Sequence, residues 1–178
     1  DAGRNWHIRA IGGHALDMSR IEAGFIQAGV DFMPAHQTVR LDHDRSPFEL
    51  GLDWLVDLTK ANFTGRRALL KEKQEGSRLK LVRLNIEGNK PAHDAYIYRG
   101  KNGTHVGHIT SAMWSPTCKA TIGLALVDWR KAGSLDDLWV EIFYQRDLKW
   151  HKVSARCEVV EGAFWDPPRR RATPPADY

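Results

Sequence analysis

The sequence predicts an α+β chain, in which a helix-bearing segment is followed by a small antiparallel β domain of barrel or sandwich type. Three observations predict this. Apolar residues over 14–28 recur at the spacing of a helix face. From Leu79 onward, short runs rich in Val, Ile and aromatic residues alternate with turn residues. Between the two textures stands Gly76-Ser77, which marks the expected boundary. The expected divisions are residues 1–76, 77–167 and a disordered tail, 168–178.

The first element spans 14–28. Leu16, Met18, Ile21, Phe25 and Ile26 share its apolar face, Asp17, Arg20 and Gln27 lie elsewhere, and Gly29 is the expected stop. The stretch 34–47 is rich in His, Asp and Arg and reads as a surface loop. Leu50, Leu52, Trp54 and Val56 then alternate with Gly51, Asp53 and Leu55, a period of two that predicts a half-buried strand. A short helix follows over 64–73, with Thr64 as its N-cap.

Six strands are expected after the boundary, at 79–86, 95–99, 104–111, 121–127, 138–144 and 149–160. Gly88-Asn89, residues 100–103 and Ala132-Gly133-Ser134 separate them. Pro167-Pro168 closes the domain, and no internal repeat occurs.

Composition narrows the function. The chain has 178 residues, 42% of them hydrophobic, enough to bury a core. No apolar run approaches the roughly 20 residues of a bilayer-spanning helix, and the start carries neither a basic region nor an apolar signal core, so no membrane partner is expected. The first residue is Asp1 and structured-looking sequence begins at once, so a fragment or processed product is expected, with an N-terminal region of the same protein missing. Cys118 and Cys157 form no C-x-x-C pair, which excludes a zinc ribbon and favours a reduced, cytoplasmic setting. The net charge of +4 includes Arg169-Arg170-Arg171, read as a solvated terminus. No nucleic-acid-binding signature accompanies it. The remaining positive field suits an anionic ligand.

Single motifs are weak. His105 and His108 would face opposite sides of a strand, His36 and His43 lack a third ligand, and no H-E-x-x-H occurs, so no metal is expected. Ser115 lacks a G-x-S-x-G elbow, and residues 110–117 read as a polar turn whose hydroxyls satisfy backbone groups. Phosphate-loop and dinucleotide fingerprints are absent. Taken alone, Glu22 reads as an exposed helix acid. It also lies one position beyond Ile21, at the edge of the apolar face, from which a carboxylate can point into a cavity and needs donors there.

Five blocks together carry a resemblance. Residues 15–24, Ala-Leu-Asp-Met-Ser-Arg-Ile-Glu-Ala-Gly, match A-R-D-x-L-R-L-E-A-G. Pro47-Phe48-Glu49-Leu50-Gly51-Leu52-Asp53-Trp54 matches P-x-E-x-G-L-x-W. Phe63-Thr64-Gly65-Arg66-Arg67-Ala68-Leu69 matches F-x-G-[RK]-x-A-L. Thr110-Ser111-Ala112, Ser115-Pro116-Thr117 and Ile122-Gly123-Leu124-Ala125 match T-S-G-x-x-S-P-T-L-x-x-x-I-G-L-A. Phe164-Trp165-Asp166-Pro167 matches a closing P-F-Y-D-P. In this order the blocks resemble the C-terminal portion of the glycine-cleavage T-protein (aminomethyltransferase) family, over about residues 12–167.

The resemblance implies the remainder of a T-protein-like folate-binding domain, followed by a small antiparallel β-barrel. It implies tetrahydrofolate as cofactor, a small methyl or aminomethyl donor as partner, and one-carbon transfer by the intact protein, with this chain alone inactive. Glu22 maps to the glutamate that binds the pterin edge, and Lys60 is the nearest basic residue after the L-x-W block. The catalytic aspartate of the family is expected upstream of Asp1. Replacing Glu22 with alanine is expected to abolish folate binding and leave thermal unfolding nearly unchanged.

Departures bear on the substrate. Leu16 stands for the arginine of A-R-D, Ala112 for the glycine of T-S-G and Cys118 for the leucine of S-P-T-L. Ala28-Gly29-Val30-Asp31 stands for Y-G-N-D. Relatives on this scaffold include O-demethylases of methoxylated aromatics and N-demethylases, and Phe48 and Trp54 are compatible with an aromatic donor. A non-enzymatic folate-binding module would carry K-G-C-Y-x-G-Q-E, which is absent. The tail of a flavoprotein dehydrogenase would show a dinucleotide fingerprint further upstream.

Overall fold

The computed structural model describes residues 3–40 and 43–173. Its six strands are β1 (Leu79–Ile86), β2 (Tyr96–Arg99), β3 (Thr104–Ser115), β4 (Ala120–Asp128), β5 (Leu138–Arg146) and β6 (Lys149–Val160). They close into a barrel in the order β1-β4-β3-β2-β5-β6, every pairing antiparallel. Closure is visible at β1, where Leu84 pairs with Gly123 on one side and Val159 on the other.

Alternation of side chains fills the barrel. Val82, Leu84 and Ile86 of β1 point inward with Ile97, Val106, Ile109, Val127, Val140, Ile142 and Cys157. Leu84, Ile97, Ile109 and Val140 are fully buried, and each such side chain contributes about 1.5–3 kcal/mol over its exposed state. Register shifts between Ile97 and Tyr98 and between Ile109 and Ser111 bend the strands into a closed wall. At Gly107 the strands approach so closely that a Cβ would lie 2.2 Å from the Leu126 carbonyl oxygen.

The outward faces of β1, β4 and β3 are covered by the first segment. Leu81 and Leu126 pack there with Leu50, Ile26, Phe32 and Leu52. This segment carries α1 (Gly13–Glu22) and α2 (Arg66–Glu75); a single turn, α3 (Trp129–Ala132), follows β4.

Five local expectations are corrected. The first helix ends at Glu22, six residues early, because Gly24 adopts φ +72 and closes it: Phe25 N–H donates to Arg20 O and Gly24 N–H to Ile21 O, both at 2.8 Å. Leu16 and Phe25, expected on the apolar face, are exposed. The strand expected at 50–56 is absent. Its bonds are local, with Leu52 N–H on Pro47 O at 2.8 Å and Val56 N–H on Asp53 O at 3.0 Å, and Asp53–Leu55 forms a 3-10 turn. Alternation is insufficient without a neighbouring strand to accept the ladder, and the described residues supply none. Thr64 does not cap α2; Gly65 precedes it at φ +90. Residues 110–115 are not a turn but the end of β3.

Of the tail, Pro168–Arg170 form a 3-10 turn, with Arg170 and Arg171 paired to Asp166. Residues 174–178 of the expected tail lie outside the described residues.

Candidate functional site

The last turn of α1 sends three consecutive side chains to different tasks. Ile21 is buried. Arg20 reaches forward to Asp31, its Nη1 2.7 Å from Oδ2, and donates through Nη2 to Ser111 Oγ at 2.9 Å. Glu22 turns toward the barrel and is only 6% exposed.

Glu22 Oε1 accepts a hydrogen bond from Ser115 Oγ at 2.5 Å. Ser115 is fully buried, and its oxygen accepts in turn from the Cys118 N–H at 2.9 Å. The helix end is fastened from a third side, because the Trp165 N–H donates to Glu22 O at 3.0 Å. A carboxylate carries about four acceptor sites on two oxygens. Among the described residues the one side-chain donor on Glu22 is Ser115, which leaves further acceptor sites on its oxygens.

Asp31 is the second node. Its Oδ1 accepts from Thr110 Oγ1 at 2.6 Å and Ser111 Oγ at 2.7 Å, while Oδ2 takes Arg20 and the Gln27 N–H at 2.8 Å. The hydroxyls of Thr110, Ser111 and Ser115, expected to satisfy turn backbone, donate to carboxylates of the first segment, and Ser115 Oγ also accepts a turn N–H, that of Cys118, as expected. Thr110 alone also reaches a carbonyl, Leu124 O at 3.1 Å. Beside these nodes the Arg83 guanidinium lies under Gly24, where a Cβ would come within 2.5 Å of Nε. Arg83 Nε is buried without a partner, and Nη2 donates to Gly24 O at 3.4 Å.

Lys60 is exposed. No hydrogen bond or ion pair joins it to Glu22 among the described residues. Its neighbour Asp57 accepts from the Thr59 hydroxyl at 2.6 Å and the Thr59 N–H at 2.9 Å, which, with a smaller effect of the Lys60 charge, hold its carboxyl below the usual range. A cavity of about 430 Å³ lies between α1 and the barrel; His14, Asp17, Arg20, Gln27, Val30 and His93 are among its lining residues, and Glu22 is not.

Three of the five blocks thus meet at one place: the R-I-E-A-G helix end, the T-S-A-M-W-S-P-T strand and the F-W-D-P segment. Residues 80–166 match the glycine cleavage T-protein C-terminal barrel domain. The aminomethyltransferase of Caldanaerobacter subterraneus subsp. tengcongensis is 36% identical over 132 residues, 74% of this chain and 33% of that protein. That of Thermotoga maritima is 42% identical over 119 residues, 67% of this chain and 29% of that protein.

Over its C-terminal portion, the chain belongs to the glycine-cleavage T-protein family.

The aminomethyltransferase T of the Bartonella henselae glycine cleavage system matches with a TM-score of 0.68 at 22% identity, covering 92% of this chain and 43% of that one, a likeness of fold. The chain spans about a third of the length of the curated T-protein relatives it matches. Sequence reasoning singled out Glu22 but not Ser115, which bonds to it, nor the Arg20, Asp31 and Ser111 network beside it. Arg20, Ser111 and Ser115 lie in the matched blocks and Asp31 in the stretch 28–31, but only tertiary contact reveals what each one holds. Among the described residues, no helix is long and apolar enough to cross a membrane.

Proposed function

We propose that the intact protein is a tetrahydrofolate-dependent one-carbon transferase, cytoplasmic in setting, and that Glu22 is its pterin-binding carboxylate. One observation carries this reading. Glu22 is buried at the end of α1 with spare acceptor capacity, instead of standing in water as an ordinary helix acid would. A buried carboxylate needs donors, and the 2-amino-pyrimidinone edge of a pterin offers two N–H groups side by side. The carboxylate of Glu22 has the chemistry that such an edge requires.

Bound tetrahydrofolate would supply N5 as the nucleophile that accepts the one-carbon unit. The contribution of this chain is positioning and electrostatics. Glu22 orients the ring, Ser115 holds Glu22, and the Arg20–Asp31 pair holds the helix that carries it. Proton management belongs to a residue upstream of Asp1. Lys60, exposed and remote from Glu22 in contacts, serves only as a candidate for the charged tail of the cofactor.

The donor reads as a methyl or aminomethyl compound. Val30, where the glycine-cleavage enzymes usually carry asparagine, lines the cavity beside Gln27. That change favours a methylated amine or a methoxylated aromatic over the glycine-cleavage intermediate. A screen of the intact protein against these three donor classes, with folate product as readout, tests the choice. Turnover of the glycine-cleavage intermediate alone would overturn the demethylase reading.

A further inference from the structure

The β5–β6 hairpin outruns the barrel that it closes. β2 pairs with β5 only over 138–141, and β1 pairs with β6 only over 157–160. Beyond them, residues 142–146 and 149–153 pair with each other alone, out to Arg146 opposite Lys149. Asp147 and Leu148, at φ 50 and 61, make the two-residue turn between them. One further bond extends the β1 side, where the Glu87 N–H donates to Arg156 O at 2.9 Å. In an antiparallel ladder the backbone groups of alternate residues point the same way. The N–H and C=O of Ser154, Lys152 and Trp150 therefore point to the side that β1 has left, and no strand stands there among the described residues.

Such an edge is a template for one more strand, and its side chains select which. Residues 148–157 carry Lys149, Lys152 and Arg156 and no acid. Lys152 meets Glu141 of β5 at 2.8 Å, whereas the residue opposite Lys149 is Arg146, a second cation. Trp150 is 72% exposed beside them. Two copies of this chain joined antiparallel about Lys152 would set that lysine against itself, which like charge opposes. An acidic strand meets no such cost. We propose that the free edge of β6 over 149–154 takes an extended, acidic segment of a partner protein as an added strand. Main-chain bonds to Trp150, Lys152 and Ser154 hold it, its carboxylates meet Lys149 and Lys152, and an apolar side chain lies on Trp150. The site shares no residue with the network around Glu22 and Asp31.

Fluorescence anisotropy of the intact protein with short labelled peptides tests this. The probes are a blocked peptide of alternating glutamate and valine, the same peptide N-methylated throughout, and its counterpart with lysine for glutamate. The acidic peptide is expected to bind saturably. N-methylation should weaken it by about tenfold or more, because it removes the main-chain donors and keeps every side chain. The lysine peptide should not bind. Replacing both lysines, Lys149→Gln with Lys152→Gln, should weaken the acidic peptide by about tenfold. The peptide comparison uses the unaltered protein, so it decides the matter even where that variant does not fold. Failure of the parent protein to bind the acidic peptide overturns the proposal, whether the edge stays bare or the rest of the intact protein covers it. Equal binding of the methylated peptide overturns it as well, since charge attraction alone would then suffice, and so does equal binding of the lysine peptide. Lys152→Pro removes an N–H that faces the edge and no bond to β5. Sedimentation in which the parent dimerises and this variant does not would give the edge to a second copy and overturn the proposal.

Discussion

Arg20 and Asp31, eleven residues apart in sequence, form an ion pair at 2.7 Å whose carboxylate is wholly buried against the barrel. The pair joins the end of α1 to the loop behind it, and Thr110 and Ser111 join both to β3. Asp31 is also, with Gly29, a residue of the Y-G-N-D block that this chain retains while the tyrosine and asparagine are replaced. Its retention follows from four donors converging on one side chain.

Removing that carboxylate should therefore be costly. Asp31→Ala leaves Arg20, Thr110 and Ser111 facing an empty acceptor and is expected to destabilise the protein by about 3 kcal/mol. Asp31→Asn keeps one acceptor oxygen and should cost about half as much. Urea unfolding of both variants checks the order; a loss below about 0.5 kcal/mol for alanine would contradict it.

Gly24 is expected to tolerate no side chain. Its φ of +72 is disfavoured for other residues, and a Cβ would meet the Arg83 Nε at 2.5 Å. Gly24→Ala should cost about 1–3 kcal/mol and shift the end of α1, so folate affinity should drop alongside stability. Unfolding midpoints and ligand titration on the same variant test this; an unchanged midpoint would show that the turn relaxes freely.

Cys157 points into the barrel, and burial pushes its thiol up to about 12 from 9.0. In a Cys118→Ser background, an aromatic disulfide reagent at pH 8 should leave the native protein unlabelled over minutes and label it fully in denaturant. The folded thiol stays protonated while the unfolded one ionises, so stability is retained below pH 9.0 and lost as pH rises from there toward 12. The slope from this group reaches at most about 1.4 kcal/mol per pH unit. Subtracting the stability profile of Cys157→Ala from that of the parent isolates it; a flat difference would contradict the assignment.

The barrel was legible because each strand carries its own period and its own turn. Leu79–Ile86 and Lys149–Val160 fall where alternation puts them. The first segment was less legible because it has no core of its own. Its apolar residues divide between the outside of the barrel, where Leu50, Ile26 and Phe32 pack, and solvent, where Trp54 is 75% exposed. Periodicity cannot distinguish these fates, since it records only that a face is apolar. The same holds at the site. Glu22 was visible from its block, whereas Ser115 read as turn chemistry because its partner is 93 residues away. The end of α1 is legible in Gly24, an ordinary helix stop after Glu22-Ala23, although Phe25 and Ile26 continue the apolar spacing past it.

Glu22→Ala is expected to lower stability by about 1–3 kcal/mol, because it strands the buried Ser115 hydroxyl. Glu22→Gln is the cleaner variant. It keeps an acceptor for Ser115 and sets an amide N–H against the donors of the pterin.

The most direct measurement is tetrahydrofolate affinity of the intact protein with and without Glu22→Gln, read by titration at neutral pH beside the unfolding midpoint. The account predicts a loss of about 100-fold or more, from two charge-assisted bonds worth roughly 1.5–3 kcal/mol each, with the midpoint little changed. Affinity within about threefold of the parent protein, at the same midpoint, would contradict it.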